Sequence, residues 1–455
     1  MKIGIVGAGW AGLAAAWECA RAGHAVLLWD MAPQAGGRGR SGVAQFPIGH
    51  PPATGPEDPD RPPLELDCGQ HVLIGAYTTC LRLLRDLGVQ EDAVLHRLPL
   101  LLVDGRGRGL RLPKGPSAAL SFLGALGAHP DWSVGDKLRV LRALIGWRLA
   151  GFRCGPDQTV ADLCRGLPAR VMADWIEPLC VAALNTPAAQ AGGRVFLTVL
   201  ADGLFAGPGG SDLLIPRRPL HDLLPGPGVQ SLLNLGASWR PRHRVAGITP
   251  HPSPGAASSW QVDGETVDRL IVATSNTEAA RLIAPWDADW AACARSLPLE
   301  PIVTTWLSSP GSRLRAPMVS LCGSGSPYPE GPAQFAFDLG SIGHPGAGLF
   351  SFVSSAAGPW LERGGMAAIE AAVLQQALNS PGLEWRTPPQ LVRSVAERRA
   401  TLRCTPGLKR PAARAALGQG GMAVAGDYIE GPYPSTLEGA VRSGVAAAQI
   451  VLNLR

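Results

Sequence analysis

The chain has 455 residues, a formal net charge of +5 at pH 7 and 46% hydrophobic residues. This length exceeds one ordinary hydrophobic core, so we expect two packed domains, and the composition excludes a disordered protein. The nine cysteines show no CxxC pair or zinc-type spacing, and no apolar run reaches the roughly 20 residues that span a bilayer, so neither a metal site nor a transmembrane helix is expected.

The first 30 residues have the pattern of a strand–helix–strand unit. Residues 2–6 predict a buried strand, and residues 10–22 predict an alanine-rich helix. A second predicted strand, residues 24–29, ends at Asp30. Such a βαβ unit is typical of the start of a nucleotide-binding domain.

The loop between the first strand and the helix carries the pattern G-x-G-x-x-G. Gly7 permits the tight turn, Gly9 lets a pyrophosphate approach the backbone, and Gly12 lets the helix pack on the strand. Trp10 and Ala11 lie between these glycines and are expected to contact the nucleotide too, because the pyrophosphate rests at the positive helix N-terminus.

Two further features follow this unit. Asp30 is placed to accept hydrogen bonds from the adenosine ribose, although an ordinary turn residue is the alternative. In Gly36-Gly37-Arg38-Gly39-Arg40-Ser41, Gly37 would bring backbone close to a phosphate and Arg38 would supply a fixed donor fork; a flexible turn with solvated arginines is the alternative. At this distance from the acid, the segment resembles the second fingerprint of the flavin amine oxidase and carotenoid desaturase superfamily, which implies FAD rather than NAD.

Beyond residue 41 we expect helical blocks between short strands. Residues 49–63 predict an exposed excursion rich in Pro and Gly, and residues 112–200 predict a largely helical block. The other predicted elements are ordered structure over 64–75, a helix over 78–87, a Pro-rich turn over 214–219, strands over 238–248, 260–262 and 270–274, a mixed block over 292–384, a strand over 422–425 and a helix over 436–454. Val245, in the strand 238–248, is included among the expected cofactor contacts.

The last strand and helix carry a third motif. Gly426 and Asp427 follow the strand, and Ser435, Thr436 and Leu437 stand at the start of the helix. This arrangement resembles the C-terminal FAD motif of the same superfamily, in which Asp427 would bind the ribityl or pyrophosphate region. The helix N-terminus near Thr436 would face the flavin N1–C2=O edge and favour the anionic reduced flavin. A capped surface helix, the alternative, does not explain three such motifs in order along one chain.

These motifs predict an α/β fold, with a Rossmann-like FAD-binding domain of the amine oxidase and phytoene desaturase type and a mixed α+β substrate domain. The FAD-binding domain is expected to be discontinuous, because its motifs lie at both ends of the chain; its expected parts are residues 1–75, 215–285 and 390–455. Residues 76–214 and 286–389 are expected to form the substrate-binding domain.

Several further segments match a narrower pattern. They are LDCGQHVLIGAY (66–77), WIEPLC (175–180), ALNTP (183–187), RAT (399–401) with CTPG (404–407), and EGAVRSG (438–444). Together they resemble the squalene-associated FAD-dependent desaturases, whose assigned activity is hydroxysqualene dehydroxylase of hopanoid biosynthesis. The resemblance runs nearly the whole chain. One departure is Cys68, where the family more often has Asn, so the role of this side chain is open.

The resemblance implies that hydroxysqualene, a C30 allylic alcohol, is reduced to squalene. Losing the hydroxyl needs a proton at oxygen and a hydride at carbon, which reduced flavin N5 would supply in a dry, apolar site. His71 is the first candidate for the proton donor, ahead of Glu177 and Asp338, and Gln70 would hydrogen-bond flavin or substrate. The alternatives are structural: a histidine packed beneath the cofactor, a glutamate that organises its turn, and an aspartate that caps a loop.

Other functions share parts of this pattern. A carotenoid or related isoprenoid desaturase has the same fold, cofactor and lipid tunnel but moves hydride toward the flavin, and sequence does not display that direction. A flavin amine oxidase is less favoured because the chain has only four tyrosines for an aromatic cage, although Trp or Phe could serve. The Rab GDP-dissociation inhibitors resemble the superfamily but lack flavin, and the intact Gly-Gly-Arg and Gly-Asp elements argue against them.

Residues 137–154 predict an amphipathic helix. Its apolar stripe and the adjacent cations are Leu138, Leu141, Ile145, Leu149 and Phe152, with Arg139, Arg142 and Arg153. Such a stripe either faces the core or dips into a membrane, which would suit a lipid substrate. We expect a cytoplasmic protein with a long-chain isoprenoid substrate and, at most, peripheral contact with the cytoplasmic face of the inner membrane. No nucleic-acid partner is expected, and the sequence does not indicate an oligomeric state.

Overall fold

The computed structural model describes residues 1–43, 65–115, 117–205, 207–251, 259–321, 331–344, 347–413 and 421–453. The predicted excursion over 49–63 and the last residue of the predicted C-terminal helix lie outside these ranges.

The strands are β1 (Lys2–Val6), β2 (Ala25–Trp29), β3 (Ser41–Val43), β4 (Glu65–Asp67), β5 (Leu73–Ile74), β6 (Leu95–Leu98), β7 (Leu101–Val103), β8 (Gly109–Arg111), β9 (Leu213–Pro216), β10 (Ser238–Arg240), β11 (Ile248–His251), β12 (Ser259–Val262), β13 (Glu265–Val267), β14 (Arg269–Val272), β15 (Leu299–Ser308), β16 (Met318–Ser320), β17 (Phe335–Asp338), β18 (Leu349–Ser354), β19 (Gln390–Leu402) and β20 (Met422–Val424).

The α-helices are α1 (Trp10–Arg21), α2 (Thr78–Asp86), α3 (Glu91–Val94), α4 (Ala118–Ala128), α5 (Val134–Leu149), α6 (Val160–Leu163), α7 (Ala169–Val171), α8 (Glu177–Leu184), α9 (Gly193–Phe205), α10 (Leu220–Leu223), α11 (Pro225–Asn234), α12 (Asn276–Ile283), α13 (Ala288–Arg295), α14 (Gly358–Asn379) and α15 (Leu437–Asn453). A π-helical turn, Met172–Ile176, leads into α8, and a 3₁₀ turn spans Gly340–Ile342.

A parallel sheet in the order β10-β2-β1-β14-β20 brings together the two ends of the chain. The carboxyl ends of β1, β2 and β20 precede Gly7, Asp30 and Gly426, so these residues meet at one edge of the sheet. Ligands bind at this edge in open α/β sheets. The predicted α/β class with a parallel sheet is confirmed.

Helices α1 and α15 lie very close together on this sheet. A Cβ on Gly444 of α15 would come within 2.1 Å of the Ala11 backbone oxygen. A Cβ on Gly12 of α1 would come within 1.8 Å of the Gly7 backbone oxygen. Glycine at position 12 therefore lets α1 pack on the loop after β1, and glycine at position 444 lets α15 pack on α1.

An antiparallel sheet, β16-β17-β18-β15-β19, stands opposite the parallel one. Its strand β19, which we predicted to lie in the FAD-binding domain, pairs with β15 from Leu299↔Leu402 to Ser308↔Gln390. We propose that β19 belongs to the substrate-binding domain and that the domain boundary comes after its last residue, Leu402. The reason is that backbone hydrogen bonds hold β19 to β15.

Two predicted elements were wrong. The segment 214–219 is not simply a turn, because Leu213–Pro216 is a buried strand paired with β5 and β6, and Pro216 lies beyond the pairing with β5, which ends at Leu214. The predicted strand 238–248 is divided, since β10 joins β2 in the parallel sheet whereas β11 forms a hairpin with β12. The chain turns between them at Arg242, which has a φ of 57°.

Of the stripe predicted on residues 137–154, Leu138, Ile145 and Leu149 are exposed to solvent, whereas Leu141 and Phe152 are partly buried and pack against the core. The fully buried residues of α5 are Val140, Leu144 and Trp147, so the core-facing interpretation was wrong for the three exposed residues of the stripe. Among the described helices, none combines the length and apolarity that crossing a bilayer requires.

Candidate active site

A cavity of about 740 Å³ opens at the carboxyl edge of the parallel sheet and reaches the antiparallel sheet. This volume is typical of small-molecule sites. The predicted site residues that line it are Gly7, Gly9, Trp10, Ala11, Asp30, Gly37, Arg38, Gln70, His71, Val245, Gly426, Asp427, Ser435, Thr436 and Leu437. Gly12 lies behind the wall, where it packs α1 on β1.

Helix α1 begins at the cavity without a side-chain cap. Gly9 is its N-cap residue, and the amides of Trp10 and Ala11 have no acceptor within the helix. The backbones of Gly9 and Gly36 form a parallel bridge, and a Cβ on Gly37 would lie only 3.3 Å from the Gly9 Cα. A positive helix end beside backbone without side chains fits the pyrophosphate of a dinucleotide.

At the end of β2, the Asp30 carboxylate holds two backbone amides and can also bind a ligand. Its Oδ2 accepts the Ala8 amide at 2.6 Å, and its Oδ1 accepts the Ala32 amide at 2.7 Å. Each carboxylate oxygen has a second acceptor site, so Asp30 can also accept a ribose hydroxyl from the cavity. The His243 amide donates to the Asp30 backbone carbonyl at 2.8 Å. This bond fixes the segment that leads to Val245, which lines the cavity.

Arg38 and Asp427, predicted separately from two motifs, form an ion pair. Arg38 also donates to the carbonyls of Arg399 at 3.3 Å and Ala400 at 3.0 Å. Asp427 is only 9% exposed, so removing Arg38 would leave a buried carboxylate without its partner. A guanidinium has five N–H groups, so Arg38 can hold Asp427 and still donate to an anion in the cavity.

The start of α15 is fixed by two hydroxyl groups. Thr436 Oγ1 accepts the Gly439 amide at 2.9 Å and donates to the Tyr433 carbonyl at 3.1 Å. Ser435 Oγ accepts the Leu402 amide at 2.7 Å. Ser435 has a φ of 57°, a strained conformation of the kind that is concentrated at binding sites. The helix end is therefore held rigidly against the cavity.

His71 and Gln70 lie deeper in the cavity. His71 donates its Nδ1–H to the Gly69 carbonyl at 3.0 Å, because that oxygen can only accept. Burial lowers the pKa of His71 below its usual 6.5, the charge of Arg38 adds to the shift, and the Gly69 carbonyl opposes it. The imidazole is therefore neutral at pH 7, with Nε2 unprotonated. Gln70 Oε1 accepts the Ser351 hydroxyl at 2.9 Å.

The structure does not bring Glu177 or Asp338 to the cavity. Glu177 accepts the Ala188 amide at 3.1 Å, and burial raises the pKa of its carboxyl group. Asp338 is fully buried and accepts the amides of Leu314 at 3.1 Å and Ser341 at 3.0 Å. Both carboxyl groups hold backbone turns, so His71 is the one of our three proton-donor candidates that faces the cavity.

Asn185 is a site residue whose role the sequence analysis did not recognise. It ends α8 in the left-handed conformation, with a φ of 49°. Its Nδ2 donates to Thr401 Oγ1 at 2.9 Å and to the Glu300 carbonyl at 3.2 Å, and its Oδ1 accepts the Ala356 amide at 2.6 Å. Asparagine after a helix is a signal for this conformation, and it could have marked the position.

The cavity wall also includes apolar side chains. Its apolar side chains come from α8, β15 and the segment after β4, and they are Val72, Val181, Ala182, Ala183 and Ile302. Cys68, the departure from the family pattern, also lines the cavity, and burial raises the pKa of its thiol, so it is uncharged.

Two tyrosines lie at the same end of the site. Tyr77 lines the cavity and contacts Tyr433 edge to face, with ring centroids 6.3 Å apart and an interplanar angle of 61°. The Tyr433 hydroxyl donates to Asp202 on α9. Because the two rings contact each other, they do not form facing walls for an amine between them.

The family of flavin containing amine oxidoreductases matches residues 10–452 of the sequence. The chain belongs to this family. The predictions of an FAD cofactor and of an oxidoreductase are therefore confirmed. The uncapped N-terminus of α1 and the glycine backbone beside it fit the pyrophosphate of that cofactor.

Three named relatives are similar to the chain in sequence. The chain is 27% identical to a hydroxysqualene dehydroxylase of Rhodopseudomonas palustris, over 98% of this chain and 97% of that protein. It is 24% identical to a hydroxysqualene dehydroxylase of Sinorhizobium fredii, over 99% and 98%. A zeta-carotene desaturase of Zea mays is 25% identical over 64% of this chain and 49% of that protein.

Solved structures of more distant proteins share the fold. An oxidoreductase of Methanosarcina mazei superimposes with a TM-score of 0.71 at 14% identity, covering 99% of this chain and 100% of the other. A putrescine oxidase bound to putrescine superimposes with a TM-score of 0.64 at 15% identity, covering 100% of both chains.

Proposed function

We propose that this amine oxidoreductase family member removes the hydroxyl group of hydroxysqualene reductively and releases squalene. The observation that carries the proposal is that one cavity is lined both by the glycines and the arginine that fit FAD and by a set of apolar side chains, Val72, Val181, Ala182, Ala183 and Ile302, that can contact a hydrocarbon. Two relatives that match nearly end to end bear the name hydroxysqualene dehydroxylase, which supports the same substrate.

The reaction replaces an allylic C–O bond with a C–H bond and releases water. The carbon must accept a hydride, and the departing oxygen must accept a proton. FAD bound in its reduced form supplies the hydride. The apolar side chains of α8 and β15 exclude water from the developing allylic cation, which would otherwise be recaptured as an alcohol.

His71 is the residue that we propose brings the proton to the hydroxyl group. Its Nδ1–H is held by Gly69, so the transferable proton must sit on Nε2, either on the imidazolium or on a water bound there. Because the pKa of His71 is lowered, the imidazolium is a strong acid but is populated only below pH 6.5. We therefore expect kcat/KM to fall as the pH rises through this lowered pKa.

The test uses pre-reduced, FAD-loaded protein mixed with hydroxysqualene, with squalene measured in the extract. His71→Ala should retain FAD but lose at least roughly 100-fold in turnover, the low end for general acid catalysis. His251→Ala, which removes an exposed histidine on β11, is the matched control and should turn over normally. Normal turnover of His71→Ala would show that His71 is structural.

The direction of the reaction is tested with the same protein. If reduced enzyme leaves hydroxysqualene untouched while oxidised enzyme desaturates an isoprenoid, the dehydroxylase proposal is overturned in favour of a desaturase. Production of squalene by the reduced enzyme alone supports it.

A further inference from the structure

Helix α5 presents an apolar stripe to solvent, although its other face lies in the core. Val134, Leu138, Ile145 and Leu149 are 74, 60, 49 and 84% exposed. At 3.6 residues per turn these four side chains lie within about 60° of one another around the helix. Apolar surface of this extent on one helix face indicates an interaction surface rather than scattered exposed residues.

Basic side chains border this stripe on both sides. The helical period places Lys137 and Arg148 along one border, and Arg139 and Arg142 along the other. The single acidic residue of the helix, Asp136, lies on the far side in the first turn, where it closes a capping box. None of the four cations forms a salt bridge with a carboxylate that the structure describes. Their charge is therefore available to an anionic partner.

Side chains at both ends of α5 contact neighbouring helices. Leu120 and Leu123 of α4 are 60 and 43% exposed, and Lys137 donates to a carbonyl of that helix at 2.7 Å. At the other end, the Arg148 guanidinium lies 4.8 Å from the ring centroid of Phe205, the last residue of α9, which is 38% exposed. Two basic residues at the borders of the stripe, Lys137 and Arg148, thus contact helices that expose apolar side chains of their own.

We propose that this surface, the α5 stripe with its borders, docks on an anionic lipid bilayer. The leucine, isoleucine and valine side chains would enter the headgroup boundary, while the long basic side chains reach the lipid phosphates around them. A second copy of the chain is a poorer occupant, because two identical stripes face to face would bring like charges together.

The surface is also connected to the cavity through one helix. Phe205 ends α9 at the stripe, and Asp202, nearly one turn earlier on α9, accepts the hydroxyl of Tyr433 beside the cavity. Docking would therefore place the site next to the hydrocarbon layer of the membrane. Docking itself does not depend on the proposed reaction, so vesicle binding is measured without substrate.

The experiment is flotation of FAD-loaded protein with vesicles of phosphatidylcholine, with and without phosphatidylglycerol. We expect binding to the anionic vesicles that weakens as salt rises. Leu138→Ser and Leu149→Ser should each weaken binding roughly tenfold or more, from the loss of a buried leucine. Arg142→Ala should weaken it about fivefold, the contribution of one cation at an anionic surface.

Leu235→Ser is the matched control, because Leu235 is 50% exposed after α11, away from the stripe. It should bind as the unmodified protein does. Failure of the unmodified protein to float with anionic vesicles overturns the proposal, and so does unchanged binding of both leucine variants. If Leu149→Ser instead converts a dimer to a monomer without changing flotation, the stripe is a contact between copies and the proposal is wrong.

Discussion

Gly9 and Gly12 belong to one motif, but the structure predicts opposite effects of adding a side chain to each. A Cβ on Gly9 would contact only the Gly37 Cα, at 3.9 Å. Gly9 also has a φ of −68° and a ψ of 178°, a conformation that any residue adopts. A Cβ on Gly12 would lie 1.8 Å from the Gly7 oxygen, a separation that no real contact reaches.

Gly9→Val should therefore leave the FAD-free protein folded and change its free energy of unfolding by about 1 kcal/mol at most, the scale of an N-cap substitution. Its methyl groups would occupy the space where the pyrophosphate approaches α1. We expect FAD affinity to fall at least about 100-fold, or about 2.7 kcal/mol. Gly12→Ala should instead cost about 3 kcal/mol or more of stability, because α1 must move away from β1.

The assay is the flavin-to-protein absorbance ratio after gel filtration, combined with urea unfolding of the flavin-stripped proteins. Added FAD should raise the Tm of the unmodified protein but not that of Gly9→Val, since only a ligand that binds stabilises. A Gly9→Val protein that keeps one flavin per chain would refute the assignment of this glycine to the pyrophosphate site. Equal destabilisation of Gly9→Val and Gly12→Ala would refute the steric reasoning.

Three further predictions follow from single side chains. Arg38→Met leaves the buried carboxylate of Asp427 without its partner, so unfolding free energy measured in urea should fall by about 3 kcal/mol; adding Asp427→Asn should recover most of it without restoring flavin retention. Asn185→Ala and Asn185→Gly both remove the same hydrogen bonds, but an alanine is strained at a φ of 49° and a glycine is not. The free energy of unfolding in urea should therefore be about 1 kcal/mol lower for the alanine variant than for the glycine variant. Burial, with a smaller effect from the charge of Arg218, lowers the pKa of His344 to about 4. Between pH 6.5 and pH 4, His344 is therefore protonated in the unfolded chain but neutral in the folded protein. Unfolding free energy should therefore fall between pH 6.5 and pH 4, by up to roughly 3 kcal/mol, and His344→Gln should show a shallower fall in the same urea titration.

Local patterns in the sequence were sufficient for the cofactor half of the site. The G-x-G-x-x-G loop, the acid at Asp30 and the start of the last helix each consist of residues close together in the chain, so their geometry follows from local backbone preferences. The parallel sheet then brings their segments to one edge. For the same reason, the sequence predicted the α/β class and the bounds of β1, α1 and α15 closely.

Pairings between distant residues required the tertiary structure. Arg38 and Asp427 are 389 positions apart, and neither motif indicates that the two charges neutralise each other. The neutral state of His71 results from its burial, and the position of Asn185 between α8 and two strands results from packing. An asparagine after a helix signals the left-handed conformation of Asn185, but none of these contacts has a local signal, because each depends on which segments of the fold become neighbours.

In helix α5, some properties follow from the sequence and others from tertiary packing. The sequence determined that it is amphipathic, because a 3.6-residue period is a property of the chain alone. Which face turns inward depended on the surrounding helices, which cover Val140, Leu144 and Trp147 and leave Leu138 and Leu149 in solvent. Periodicity fixes the stripes of a helix relative to one another, whereas only packing against the rest of the molecule decides which stripe is buried.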